Sequence, residues 1–343
     1  HKTNRKGKNK MLKNLFIRKN TEWKEVKKMK KGKTIFLAIM MLSMVFGTYS
    51  ISEAISLTYS HTFYDTDFIS AGVGGMRDGT GSSSISLTGV TGTVTSALLY
   101  WHGPGTSSDE IANASVTFGG TDITGNSLGL SNDNCWGYAN SKAYWADVTS
   151  LVSGDGSYSL DNFVKSGENI NGVSLLVAFD DGNSANDRDV VFFHGNDSNI
   201  SNSYDADNWN ISLPGINYSS GNAYLELHVG DGQDWLDDAI LINAIELVPD
   251  GQIFAGDSTL PSPKDASHGG NLWDIERFDI TSFLSPGINT LSMYSGTYVD
   301  CLSCVVAIVD LPAGAAPIPE PSTLILIGSG LTGVAALRKW LKK

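Results

Sequence analysis

The chain has 343 residues, 41% of them hydrophobic, enough for one to three domains with buried cores. Its net charge of −12 hides a segregation: residues 1–33 hold fourteen Lys or Arg and the last six residues hold four more, so between Ile55 and Ala316 six basic residues face 32 acidic ones, a charge near −26. A body this acidic repels phosphate backbones and anionic membrane surfaces, which excludes nucleic acid as a partner and suits an exported soluble protein or one that binds cations.

In chain order, residues 1–28 read as translated upstream sequence ahead of Met29. From Met29 the basic residues Lys30, Lys31 and Lys33 precede the apolar run Ile35 to Phe46, and Ser52-Glu53-Ala54 places small residues where a signal peptidase reads them. The pattern predicts a signal peptide over 29–54, cleaved after Ala54. An apolar run of twelve residues falls short of the ~20 that span a bilayer, which argues against a permanent anchor.

The body alternates short β-prone runs with Gly, Ser, Thr, Asn and Asp, and no long stretch carries helical periodicity. Strands are predicted at Ser84 to Leu87, Ser96 to Trp101, Ala114 to Phe118, Gly172 to Phe179, Val190 to Phe193, Tyr224 to Val229, Ala239 to Leu247, Thr290 to Tyr294 and Cys304 to Val309. Many short strands at this spacing predict an all-β fold of antiparallel sandwiches. A weak repeat adds to this: Asp147-Val148-Thr149-Ser150-Leu151 is echoed by Asp279-Ile280-Thr281-Ser282-Phe283, and Leu98 to His102 by Tyr224 to His228. The expectation is two tandem sandwiches, 55–205 and 206–312, followed by a linker and terminal signal over 313–343.

Candidate chemistry is sparse. The six histidines form no H-E-x-x-H pattern, and Gly125-Asn126-Ser127-Leu128-Gly129 satisfies G-x-S-x-G without the strand and helix a nucleophile elbow needs. Cys135, Cys301 and Cys304 travel an oxidising route; a Cys135–Cys301 disulfide requires contact between the two sandwiches, a local Cys301–Cys304 pair or free thiols being the alternatives. Clustered carboxylates are the main signal. Asp180, Asp181 and Asp187 in one loop, and Asp231, Asp234, Asp237 and Asp238 in another, supply oxygens of the kind calcium takes, although solvated turns use the same residues. Tryptophans including Trp101, Trp136, Trp145, Trp209, Trp235 and Trp273 serve as core or as platforms for sugar stacking.

The chain closes on Ile318-Pro319-Glu320-Pro321-Ser322-Thr323, an apolar stretch from Leu324 to Leu337, and the basic Arg338-Lys339-Trp340-Leu341-Lys342-Lys343. This resembles the PEP-CTERM sorting signal, with Pro319, Glu320 and Pro321 as its motif and a single hydrophobic sorting helix behind it. The resemblance implies export, transient membrane anchoring, processing by an exosortase, and a bacterium that makes extracellular polysaccharide. Separately, Phe278 to Leu291 resembles a turn of galactose-binding-like jelly-roll domains, and the segment from about 95 to 245 looks like bacterial surface proteins of undefined role. The function expected is a non-enzymatic structural or adhesive component of the outer cell surface or matrix. A carbohydrate-binding module that contacts extracellular polysaccharide is the first alternative, and a secreted hydrolase with an unrecognised carboxylate pair the second.

Overall fold

The computed structural model describes residues 57–77, 81–205, 208–256, 271–297 and 299–317. The expected upstream segment 1–28, the signal peptide 29–54 with its Ala54 site, the motif Pro319-Glu320-Pro321 and the helix Leu324 to Leu337 lie outside them. Everything described is antiparallel β-structure joined by turns and two short 3-10 turns.

The strands run β1 (Thr58–Val73), β2 (Ser83–Leu87), β3 (Thr93–Gly105), β4 (Ser115–Phe118), β5 (Thr121–Thr124) and β6 (Asn126–Ser131). They continue as β7 (Asn140–Asp147), β8 (Gly156–Asp161), β9 (Gly172–Asp180), β10 (Arg188–Ser198), β11 (Trp209–Tyr218) and β12 (Tyr224–Gly230). The last are β13 (Ile240–Ile242), β14 (Ile245–Val248), β15 (Trp273–Asp279), β16 (Gly287–Ser295) and β17 (Ser303–Pro312). All nine predicted strand segments fall in strands, with one correction: Ala239 to Leu247 is a hairpin, reversing at Asn243 and Ala244, whose φ of 52° and 63° are left-handed.

A nine-stranded sheet has the order β15-β12-β17-β10-β1-β9-β3-β7-β6, and two four-stranded sheets have the orders β11-β16-β13-β14 and β2-β8-β4-β5. Sequence pattern separates the layers. In the large sheet β9 and β17 are near-continuous apolar runs buried along their length, as strands covered on both faces must be. In the small sheets β2 and β16 alternate buried with exposed positions, as strands with one wet face do. One core lies between β2, β4, β8 and the β3-β7-β9 half, and a second between β11, β13, β16 and the β10-β12-β17 half. A third, with Leu98, Tyr100, Leu176, Phe192, Trp273 and Ile308, takes side chains from both halves of the large sheet.

The strand order repeats. β9-β3-β7 beside β1 corresponds to β17-β12-β15 beside β10, and β2-β8-β4-β5 to β11-β16-β13-β14, with β6 extra. The echoed turns are chemically alike: Asp147 accepts from the Thr149 amide at 2.9 Å and Asp279 from the Thr281 amide at 2.8 Å. The two threonine hydroxyls in turn accept the amides of Ala97 and Ala223, both at 2.9 Å. In this order the second set of strands starts at β10, ahead of the 205/206 boundary expected, and β10 is hydrogen-bonded along β17. β1 joins the halves, pairing with β10 as far as Thr66 and with β9 from Asp67, its direction changing beside Asp65 at φ 49°.

Candidate functional site

Two loops meet at a disulfide. Cys135, between β6 and β7, is bonded to Cys301, just before β17, with Cα atoms 6.1 Å apart; Cys304 is free and buried. Asn134 and Cys135 have φ of 55° and 64°, a region that non-glycine residues occupy only when their surroundings hold them there. Around the bridge lies a cleft of about 330 Å³ lined by Asn134, Trp136, Gln233, Trp235, Val299 and Asp300 together with the two cysteines. Trp235 and Val299 are about half exposed, which leaves an open apolar rim above polar side chains.

Trp136 is fixed from below. Its indole N–H donates to both carboxylate oxygens of Asp231, at 2.7 and 2.8 Å, while the Arg77 guanidinium lies 4.0 Å from the ring centre and 3.6 Å from Asp231. Burial pushes the Asp231 carboxyl well up, and the Arg77 charge and the Trp136 hydrogen bond act against that.

The acidic residues singled out from sequence do not form one shell. Asp180 and Asp181 accept the amides of Gly182 and Asn183, both at 2.8 Å, in turns that face solvent with Asp187 nearby. Of the other loop, Asp231 faces Arg77 and Trp136, Asp234 is exposed, Asp237 accepts the amides of Ile253 and Phe254, and Asp238 accepts that of Gly296. Among the described residues no three His, Cys, Asp or Glu side chains are arranged to hold a metal ion. What the structure adds is Asp300 and Asn134, both buried at the disulfide and neither marked by sequence reasoning; their one signal was adjacency to Cys301 and Cys135. Burial pushes the carboxyls of Asp237 and Asp300 up to about 7 each, and Asp300 adds repulsion at Asp237.

A second constellation went unnoticed because its members are 174, 226, 228 and 273 in the chain. Ser174 Oγ lies 2.8 Å from His228 Nδ1, and His228 Nε2 lies 3.0 Å from Glu226 Oε1. Trp273 donates its indole N–H to Ser174 at 2.9 Å, and the Glu226 carboxylate oxygen accepts from His228 Nε2. Burial pushes the Glu226 carboxyl up, but hydrogen bonds and charges from His228, Ser70 and Arg277 outweigh it and hold the group low. The order is that of a serine relay, yet Ser174, His228 and Trp273 are each fully buried, so no substrate carbonyl reaches the hydroxyl in this conformation. Gly125-Asn126-Ser127-Leu128-Gly129 falls at and within β6, which rules out a strand-to-helix elbow.

At the other end of the body, the residues ahead of the Pro-Glu-Pro motif are tied down. Ala315 accepts the Asn217 amide, Ala316 donates its amide to Asp189, and Pro317 accepts the Tyr64 hydroxyl, each at 2.9 Å. Among the described residues no helix is long and apolar enough to cross a membrane.

No curated protein matches the chain. Among solved structures, the crystal structure of peptide-N(4)-(N-acetyl-β-D-glucosaminyl) asparagine amidase is 11% identical, covering 74% of this chain and 98% of that one with a TM-score of 0.22, too low to carry an argument. Residues 317–339 match the PEP-CTERM protein-sorting motif, which marks an exported, cell-envelope-targeted chain processed by an exosortase. Residues 64–309, and with them the two loops joined at the disulfide, match the model described as protein of unknown function, DUF3344, and the chain belongs to that family.

Proposed function

We propose that the chain is a non-catalytic structural or adhesive component of the outer cell surface or extracellular polysaccharide matrix, built as two tandem β-sandwiches that share β1. In this reading a signal peptidase removes residues up to Ala54, and a helix over Leu324 to Leu337 anchors the chain in the inner membrane until an exosortase acts. The observation that carries the reading is the sorting motif at 317–339, with the preceding residues held on the body by Tyr64, Asn217 and Asp189. The burial of Ser174, whose hydroxyl no substrate carbonyl reaches in this conformation, is what supports a role without catalysis.

Replacing Pro319, Glu320 and Pro321 together by alanine should leave the chain in the membrane fraction of its native host, with Leu324 to Lys343 still present by mass spectrometry. The unaltered protein should be recovered without that tail and beginning at Ile55. Release of the altered chain at the normal rate would refute the sorting step.

A second reading, a carbohydrate-binding module, is favoured by the cleft at the disulfide. A half-exposed Trp235 beside Trp136, over the polar Asn134, Gln233 and Asp300, offers a flat apolar face and hydrogen-bonding groups to a sugar ring. If the cleft binds the host's exopolysaccharide, Trp235→Ala weakens that binding about thirtyfold, the scale of a truncated tryptophan anchor. Unchanged retention of the variant on immobilised exopolysaccharide would dismiss this reading and leave the structural one standing.

A further inference from the structure

Beneath the cleft, three loops are joined in a chain of contacts, and each brings one buried side-chain oxygen that has no hydrogen-bond partner. Asn134 is next to Cys135, and the disulfide carries the chain of contacts to Cys301. Asp300 precedes Cys301 and donates its own amide to the Leu236 carbonyl at 3.1 Å; Asp237 follows Leu236. The side chains are set as firmly. Asn134 Nδ2 donates to the Cys301 carbonyl and to Ser303 Oγ, both at 3.0 Å, and since a carbonyl takes only a donor this fixes which amide atom is oxygen. Asp300 Oδ1 accepts the Cys301 amide at 2.8 Å, and Asp237 Oδ2 accepts the amides of Ile253 and Phe254 at 2.8 and 2.7 Å.

In each case one atom is left over. Asn134 Oδ1, Asp237 Oδ1 and Asp300 Oδ2 are buried and unpaired, in residues 2%, 2% and 3% exposed. A buried oxygen without a partner is costly, more so when charged, and where both carboxyls are ionised, above their raised range near 7, three acceptors cannot satisfy one another. Nearby Asp231 and Asp274 do not help: Asp231 is engaged by Arg77 and Trp136, and Asp274 by the Gly256 amide. A hydrogen-bond donor or a cation is required, and oxygen-only ligation by carboxylates and an amide carbonyl on loops is the donor set of calcium rather than of zinc.

We propose that the cleft floor holds a calcium ion, ligated by Asn134 Oδ1, Asp237 Oδ1 and Asp300 Oδ2 with loop carbonyls or water completing the shell. The ion neutralises the carboxylates that the disulfide brings under the cleft. It also ties the β6–β7, β12–β13 and β16–β17 loops to one another.

The test is a melting and luminescence titration of protein purified from the native host, at pH 8 and fixed ionic strength. Millimolar calcium should raise the Tm by about 5 °C or more over chelator, as a ligand at ~100 times its Kd does for a protein of this size. Magnesium, which demands a tighter octahedral shell, should give less than half that rise. Terbium should luminesce on tryptophan excitation through Trp136 and Trp235, and calcium should quench it by displacement. Asp300→Asn and Asp237→Asn should abolish both responses, while Asp181→Asn in the other acidic loop keeps them. Removing a buried charge can only relieve repulsion in the ion-free state, so Asp300→Asn should fold; should it not, displacement of terbium in the unaltered protein still decides. Equal melting in calcium and chelator, equal shifts from calcium and magnesium, or loss of the response in Asp181→Asn but not in Asp300→Asn would each overturn the site.

Discussion

Replacing Cys135 and Cys301 by serine lowers the stability of the body by about 2–5 kcal/mol, at the upper end of that range because the closed loop is long. The bridge spans 166 residues of sequence, so it removes a large share of the freedom of the unfolded chain. Its loss also frees Asn134 and Cys135 from left-handed backbone, and with them the cleft wall that presents Trp136. Denaturant melts of the oxidised protein and the double variant measure the difference directly. Thiol titration of the unreduced, unfolded protein should find one reactive group of the three cysteines, namely Cys304. A loss below 1 kcal/mol, or three reactive thiols, would mean that the bridge is absent or idle.

Trp273→Ala should cost about 3–5 kcal/mol, the usual result of emptying a fully buried aromatic site. Trp273 stands at the start of β15, at the edge of the large sheet, yet its ring packs on Gly172 of β9 in the other half. A Cβ on Gly172 would come within 2.4 Å of the indole, so the glycine is what admits it. Truncation therefore opens a cavity between the halves and removes the indole donor from Ser174, disturbing the line to His228 and Glu226. Trp273→Phe keeps most of the volume and loses only the hydrogen bond, so it should cost under half as much. Gly172→Ala should approach the alanine variant of Trp273 in severity. A midpoint shift under 1 kcal/mol for Trp273→Ala would show that the halves do not rely on this contact.

The sequence alone determined the fold class and the address. β-prone runs separated by Gly, Asn and Asp, with no helical period, point to antiparallel strands, and Pro319-Glu320-Pro321 before an apolar stretch and basic end is a local signal that needs no tertiary context. The repeat of Asp147 and Asp279 was legible for the same reason, since an aspartate capping an amide two residues on is local chemistry. β1 was not legible: its histidine, threonines and aspartates follow no single period, because its first part pairs with β10, its second with β9, and the bend at Asp65 resets which face is inward. Nor could spacing reveal that the folded halves would bring Ser174 to His228, or Asn134 to Asp300, across 54 and 166 residues. The aspartates of residues 231–238 were visible as a cluster, but a loop turns its side chains outward in several directions, and only the packing around Cys301 selected Asp237, discarded Asp234 and Asp238, and supplied Asp300. Local hydrogen bonding is written in neighbouring residues; partners separated by a hundred residues are chosen by which strands share a sheet.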